Sequence, residues 1–94
     1  MNRHAKVVCT LGPASDDEET IAALAEAGMA VARFNASHGS PDARRERIER
    51  VRRVEGRVER PLATMLDLAG PEIRTATIEN PVELHPGTTV SFVP

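Results

Sequence analysis

The sequence predicts an α/β fold built on a parallel sheet, and two patterns lead to this expectation. Short apolar runs at residues 5–10, 29–34 and 62–66 have the composition of strands that are buried on both faces. Amphipathic segments separate these runs, so the predicted order of elements is β-α-β-α-β. Because crossover helices join parallel strands, we expect right-handed connections that place all strand ends of one kind at the same edge.

The first helix is predicted to begin after Ser15 and to end at Gly28. Ser15 and Glu18 have the three-residue spacing of a capping box, and the acidic residues that follow suit the helix dipole. Glycine is a common helix terminator because it accepts a left-handed backbone conformation.

The second helix is predicted over residues 41–55, with Ser40 as its N-cap and Pro41 at its first position. Its apolar stripe is narrow and predicts that one side packs on the sheet. The stripe consists of Ile48, Val51, Val54 and Val58.

The many arginines of this second helix are interleaved with glutamates, and no aromatic side chain accompanies them. We therefore interpret them as a solvated helix face rather than as an RNA-binding surface. Glu46 and Arg50, and likewise Glu49 and Arg53, have the i,i+4 spacing of favourable ion pairs.

Composition restricts the class of protein. The 94 residues fit one small domain, and the net charge of −2 gives no general attraction for nucleic acid or for a membrane surface. Cys9 is the single cysteine, which we interpret as a small core residue of a protein from a reducing compartment. His4 and His85 have no supporting partners and are predicted to lie on the surface. No segment is typical of a signal peptide or a membrane span, so we expect a cytoplasmic protein.

The sequence pattern changes after Ala76. Residues 82–84 and 89–93 alternate in hydropathy on either side of His85-Pro86-Gly87, which predicts an antiparallel hairpin. We therefore predict a boundary near residues 75–80, with residues 1–76 in the parallel unit and 77–94 at the incomplete start of an all-β unit. A parallel sheet of three strands leaves an open edge, so we expect the chain to be part of a larger fold.

Polar side chains follow each predicted strand, where parallel α/β folds bind ligands. Arg33 lies within an apolar strand, and a charge there needs a partner. It is either a ligand of a phosphate or carboxylate, or one half of an ion pair with an acid such as Asp67. Asp67 ends the third strand and is either a metal ligand or acid, or a carboxylate that caps a loop.

Asn35, Ser37 and Asp67 together offer two neutral oxygens and one charged oxygen. If these oxygens converge, the set suits a hard cation of low charge. His38 either contacts a phosphate or bonds to the loop backbone. The helix that begins after Ser40 also points free backbone N–H groups at this edge.

Three stretches, KVVCTLGPAS, AGMAVARFNASHGS and LDLAGPEIRTA, closely resemble the N-terminal region of the pyruvate kinases, in the same order and spacing. The resemblance implies the opening of a (β/α)8 barrel of the TIM type, followed by the start of a small all-β domain inserted after the third strand. It also implies transfer of a phosphoryl group from phosphoenolpyruvate to ADP, which gives pyruvate and ATP. Mg²⁺, K⁺ and assembly into a homotetramer are implied in the same way.

The resemblance assigns a role to each matching residue. Arg33 is similar to the catalytic arginine that binds the phosphoryl group of phosphoenolpyruvate. The implied potassium ligands are Asn35, Ser37, Asp67 and the backbone carbonyl of Leu68.

On the nucleotide-phosphate side, the implied residues are Asn35, His38 and Arg74. Glu72 resembles the glutamate found in potassium-dependent members of the family. Members with a lysine at this position are independent of potassium. Ala69 departs from the lysine that many members have at this position.

The resemblance places the catalytic lysine and the Mg²⁺ ligands in later strands, so we expect the 94 residues alone to be inactive. Two alternatives differ from the enzyme hypothesis. One is a short non-catalytic module of the same fold that binds an anion or phosphate, and the other is a structural piece that complements a partner chain.

Overall fold

The computed structural model describes residues 4–94 and contains three strands and two α-helices. The elements are β1 (Val7–Thr10), a 3-10 turn (Pro13–Ser15), α1 (Glu18–Ala27), β2 (Met29–Asn35), α2 (Pro41–Val58) and β3 (Ala63–Asp67). The strands form one parallel sheet in the order β1-β2-β3. The predicted β-α-β-α-β order and the parallel sheet are therefore confirmed.

The sheet has one face that the helices cover and one open face, and side chains of the central strand β2 lie on both. Ala32 and Phe34 are buried in the core, whereas Val31, Arg33 and Asn35 stay partly accessible. Successive side chains of a strand point to opposite faces of the sheet. Because Ala32 and Phe34 point into the core, Arg33 and Asn35 lie on the open face. The core comprises Leu11, Ile21, Ala25, Met29, Ala32, Phe34, Val51, Val54 and Leu62, with the half-buried Cys9 packed against it.

Helix α1 begins two residues later than the sequence predicts. Asp17 is the N-cap, and its carboxylate accepts hydrogen bonds of 2.8 Å from both the amide and the hydroxyl of Thr20. The predicted cap Ser15 instead accepts from the Gly12 amide at 3.0 Å within the 3-10 turn. The capping-box prediction was wrong because the carboxylate of Asp17, and not the hydroxyl of Ser15, caps the Thr20 amide in the first turn of α1. The predicted end at Gly28 is confirmed by its φ of 121°.

Helix α2 begins where the sequence predicts, since the Ser40 hydroxyl accepts from the Ala43 amide at 3.2 Å. It runs past the predicted end at residue 55 to Val58, which packs against the core, and Glu59 closes it with a φ of 51°. The predicted stripe is confirmed, with Val51 and Val54 buried and the other two members partly buried.

The arginines of α2 tie this helix to the start of α1. The Asp16 carboxylate accepts from Arg47 Nε at 2.8 Å and from Arg50 Nη1 at 2.6 Å. The Glu18 carboxylate accepts from Arg53 Nε at 2.5 Å. The interpretation of these arginines as a merely solvated face therefore needs correction, because several of them hold the two helices together.

The two pairs predicted within α2 have different outcomes. Glu46 and Arg50 approach to 3.5 Å, as predicted. Arg53 pairs with Glu18 of α1 rather than with Glu49, because a partner on the neighbouring helix lies within reach of its guanidinium.

Residues 68–94 form no helix or strand and are exposed throughout. The radius of gyration of 17.7 Å exceeds the roughly 13 Å of a compact chain of 100 residues, because this segment does not pack on the core. Among residues 4–94, no helix is long and apolar enough to cross a membrane.

One turn of the predicted hairpin is present. The Thr88 amide donates to the His85 carbonyl at 3.1 Å, and Gly87 has a φ of 81°. The strands predicted at 82–84 and 89–93 are not formed, because a lone hairpin is marginal without a further strand or a helix to pack on. The boundary near residues 75–80 stays a prediction.

Ile21 tests the core. Its side chain is fully buried, so Ile21→Ala should lower the free energy of unfolding by about 2–5 kcal/mol, through lost burial and a cavity. Urea unfolding followed by circular dichroism measures this loss as a lower midpoint or the disappearance of the transition. Ile78→Ala removes the same atoms from a side chain that is 59% exposed and should change stability by less than about 0.5 kcal/mol. Equal effects of the two variants would contradict the packing described here.

The ion pairs between the helices predict loss of stability in acid. The hydrogen bond from Arg47 lowers the pKa of Asp16 below its usual 3.8, and that from Arg53 lowers the pKa of Glu18 below its usual 4.5. A carboxylate with a lowered pKa in the folded state stabilises the fold above its unfolded pKa. This contribution disappears as the pH falls through the folded pKa.

The melting temperature should therefore fall as the pH is lowered below 4.5 and 3.8 toward the lower pKa values of the folded state, and Asp16→Asn should make the fall shallower. Asp42→Asn is the matched control, because Asp42 forms no ion pair within residues 4–94. Identical pH profiles for the Asp16 variant and the wild type would rule out this linkage.

Candidate functional site

The candidate site lies at the carboxyl ends of the three strands, on the open face of the sheet. The strand register places Thr10, Arg33 and Met65 side by side, and Asn35 beside Asp67 two residues further on. Residues i and i+2 of a strand share a face. The parallel sheet therefore brings together polar groups that are far apart in the sequence.

Arg33 is held from both neighbouring strands. Its Nη1 donates to Thr10 Oγ1 at 2.9 Å, and its Nη2 forms an ion pair with Asp67 Oδ2. The side chains of Arg33 and Asp67 are 28% and 50% exposed. Of the two roles that the sequence left open for Arg33, the structure contains the ion pair. A pair this exposed contributes only about 0–1 kcal/mol to stability, so its main effect is to orient the guanidinium.

The guanidinium of Arg33 keeps donors for a ligand. An arginine side chain carries five N–H donors in a planar fork, and Thr10 and Asp67 occupy two of them. The other three, on a group that solvent reaches, can bind a phosphate or carboxylate. The ion pair with Asp67 and a role in anion binding are therefore compatible.

The loop after β2 is folded by its own polar groups. Asn35 Oδ1 accepts from the Ser37 amide at 3.0 Å, and the Asn35 carbonyl accepts from the His38 amide at 3.3 Å. The Ala36 amide donates to the Asp67 carbonyl at 2.9 Å, which continues the contact between β2 and β3 into the loop. These bonds fix Asn35 and Ser37 beside the end of β3.

Arg44 holds the end of this loop that leads into α2. From the first turn of α2, its Nη1 donates to the carbonyls of His38 and Gly39, both at 2.9 Å. Gly39 has a φ of 73°, which allows the chain to reverse direction into the helix. The sequence analysis missed Arg44. The available signal was a positive charge near a helix N-terminus, where the dipole disfavours it.

The oxygens predicted to bind a hard cation lie around this loop. Asn35 Oδ1 is engaged by the Ser37 amide, and one carboxylate oxygen of Asp67 is engaged by Arg33. Amide, hydroxyl and carboxylate oxygens each have further lone pairs, so the donor chemistry fits a monovalent cation such as K⁺. Within residues 4–94, no three His, Cys, Asp or Glu side chains cluster to hold a metal ion.

In the described structure, the predicted site residues beyond Asp67 form no hydrogen bond or ion pair with Arg33 or with residues 35–40. These residues are Leu68, Glu72 and Arg74. Glu72 and Arg74 form an ion pair with each other and are 43% and 58% exposed. Leu68 directly follows β3 and is 74% exposed.

The histidines lie on the surface. His4 and His85 are exposed, as predicted. His38 is also exposed, and its ring makes no hydrogen bond within residues 4–94. The suggested bond to the loop backbone is therefore not formed, and contact with a phosphate stays a prediction.

A cavity of about 350 Å³ lies at the opposite end of the sheet, beside the residues that precede the strands. Lys6, Gly28 and Arg60 line it, and Arg60 donates to the Met29 carbonyl at 3.1 Å. Its position at the amino ends of the strands separates it from Arg33, so it is not part of the candidate site.

Arg44→Gln tests how the loop is held. Loss of the two hydrogen bonds to the loop carbonyls should speed hydrogen exchange of the Ser37 and His38 amides by about two- to tenfold. Arg45→Gln, at the next position, is the control, because Arg45 is exposed and makes no hydrogen bond in the described part of the chain. Amide exchange followed by mass spectrometry distinguishes them, and equal rates in both variants would show that Arg44 does not hold the loop.

Known proteins with a similar sequence include pyruvate kinases. The family model described as the pyruvate kinase barrel domain matches residues 2–93. A pyruvate kinase of Staphylococcus aureus (strain USA300) is 47% identical over 89 residues, and the match covers 94% of this chain and 15% of that protein. The pyruvate kinase of Staphylococcus aureus (strain COL) has the same identity and coverage.

Solved structures agree with the sequence matches. A crystal structure of a pyruvate kinase from Cryptosporidium parvum superposes with a TM-score of 0.69 at 32% identity, over 71% of this chain and 14% of that one. A second structure from the same organism gives a TM-score of 0.68 at 34% identity, with the same coverage. This chain thus spans about a seventh of the length of these relatives. The chain belongs to the pyruvate kinase family.

Proposed function

We propose that the chain forms the first β/α units of a pyruvate kinase barrel, in a protein that transfers a phosphoryl group from phosphoenolpyruvate to ADP. The observation that supports this most directly is the Arg33 guanidinium, which Thr10 and Asp67 orient at the carboxyl ends of the strands. The products are pyruvate and ATP. The chain spans 15% of the length of its curated relatives. We propose that the full reaction needs residues beyond these 94, as the resemblance implies for the catalytic lysine and the Mg²⁺ ligands.

Arg33 is proposed to bind the phosphoryl group of phosphoenolpyruvate. Phosphoryl transfer depends mainly on positioning and on stabilising negative charge on the moving group. A guanidinium suits this task because it is always charged and its planar N–H groups match phosphate oxygens. Asp67 and Thr10 restrict its rotation, so less conformational freedom is lost when the substrate binds.

The loop after β2 and the end of β3 are proposed to hold a potassium ion. The ligands would be oxygens of Asn35, Ser37 and Asp67 and the carbonyl of Leu68. When bound, the ion supplies positive charge near the phosphoryl group. Glu72 agrees with this proposal, because a lysine at its position would supply a fixed positive charge instead.

The nucleotide is proposed to bind with its phosphates near Asn35, His38 and Arg74. Magnesium would be held by carboxylates outside this chain. Residues 77–94 would begin the β-rich domain that closes over the site. We further propose that the complete protein is a cytoplasmic homotetramer.

The proposal is tested on the natural protein that carries this chain, purified from its source, with its intact mass measured first. We expect a mass several times that of the 94 residues and formation of pyruvate from phosphoenolpyruvate and ADP in a coupled assay. Arg33→Lys should lower kcat/KM by about 100- to 1,000-fold, because an ammonium cannot reproduce the planar fork.

Arg45→Lys is the matched control and should leave kcat/KM near the wild-type value, because Arg45 is exposed and its side chain makes no hydrogen bond within residues 4–94. A natural product of 94 residues without activity would overturn the enzyme proposal. Inorganic phosphate binding by such a product would favour the non-catalytic module instead.

A further inference from the structure

We infer that Thr10 is a positioning residue for Arg33 and so contributes to substrate affinity without touching the substrate. Thr10 ends β1, next to Arg33 in the register, and its Oγ1 accepts from Arg33 Nη1 at 2.9 Å. This inference rests on the proposed function for its catalytic consequence, whereas the restraint on Arg33 stands independently.

The geometry shows why one carboxylate is not enough to fix Arg33. Asp67 binds only Nη2, and a guanidinium held at one nitrogen can still swing about that contact. The Thr10 hydroxyl engages the other terminal nitrogen from the strand on the opposite side of β2. Two contacts at two nitrogens, from two neighbouring strands, define the plane of the guanidinium.

The side chain of Thr10 makes little contribution to the packing of the fold. It is exposed, and its hydroxyl makes no other hydrogen bond within residues 4–94. A β-branched apolar side chain would suit the strand equally well. The feature that distinguishes threonine here is its hydroxyl oxygen, and that oxygen faces the guanidinium.

The direction of the hydrogen bond leaves the charge of Arg33 available. Thr10 accepts through a neutral oxygen, so it restrains the guanidinium without adding a second negative charge beside it. A carboxylate in its place would compete with an anionic substrate. The combination of one acid and one hydroxyl therefore holds Arg33 while its site still attracts a phosphate.

The experiment uses Thr10→Val, which keeps the shape and removes the acceptor, and Thr10→Ser, which keeps the acceptor, in the natural protein. Phenylglyoxal modifies arginines, and mass spectrometry of the peptides gives the rate at each one. We expect Arg33 to react about two- to tenfold faster in the valine variant, because one hydrogen bond is lost. The serine variant should react like the wild type, and the rate at Arg45 should stay unchanged in both.

The catalytic consequence is measured in the same variants. In the valine variant, the KM for phosphoenolpyruvate should rise by about two- to tenfold, because the freed side chain of Arg33 must be ordered when the substrate binds. The dissociation constant for phosphoenolpyruvate, measured without ADP, should rise by the same factor. The KM for ADP should stay near the wild-type value. In an Arg33→Lys background, the valine substitution should have no further effect, because Thr10 acts only through the guanidinium.

The outcomes separate the inference from the proposed function. A protein without activity or phosphoenolpyruvate binding would refute the proposed function, and the labelling rates would still decide whether Thr10 restrains Arg33. Unchanged labelling at Arg33 in the valine variant, or faster labelling at every arginine, would overturn the restraint. If the valine variant is active and Arg33 reacts faster in it but the affinity for phosphoenolpyruvate is unchanged, the contribution of Thr10 to substrate affinity is overturned.

Discussion

The structure depends on the alternation of side chains along β2. Ala32 and Phe34 are buried in the core, and this burial is the main stabilising contribution of the strand. Since neighbouring side chains must point the other way, Arg33 and Asn35 face the open side of the sheet. A shift of one residue would bury the guanidinium and expose the phenyl ring. The packing of an apolar core therefore also determines where the site is.

Two sets of ion pairs in the described structure have different consequences. Asp16 and Glu18 engage arginines of α2 and hold the helices together, and these arginines lower the pKa values of both carboxyls. Arg33 and Asp67 join neighbouring strands at the site, where solvent reaches both. The first group stabilises the fold, and the second orients a group that retains free donors.

The sequence predicted most of the fold, because hydrophobic periodicity and short helical crossovers determine the order of elements. It misplaced the start of α1, since Ser15 and Asp17 are both good N-caps and the choice depends on where the preceding turn ends. It also missed the pairing of Arg53 with Glu18, which depends on how two helices pack and not on spacing within one of them.

For the site, the sequence pointed to Arg33 because a charge within an apolar strand needs a partner, and to Asn35, Ser37 and Asp67 because their oxygens suit a hard cation. It offered Asp67 as one partner of Arg33 but did not decide between that pair and anion binding. It missed Arg44 because hydrogen bonds to loop carbonyls depend on the path of the backbone, which composition does not encode.

The open face and edges of the sheet have a consequence for how these residues behave in solution. β1 and β3 each present one row of backbone N–H and C=O groups without a neighbouring strand in the described sheet, and Val8 and Met65 are nearly half exposed beside them. Such edges are templates for strands of other molecules, and exposed apolar side chains make the pairing more favourable. Crowded copies of these 94 residues would therefore aggregate through intermolecular sheet extension, whereas covering both edges would suppress that aggregation.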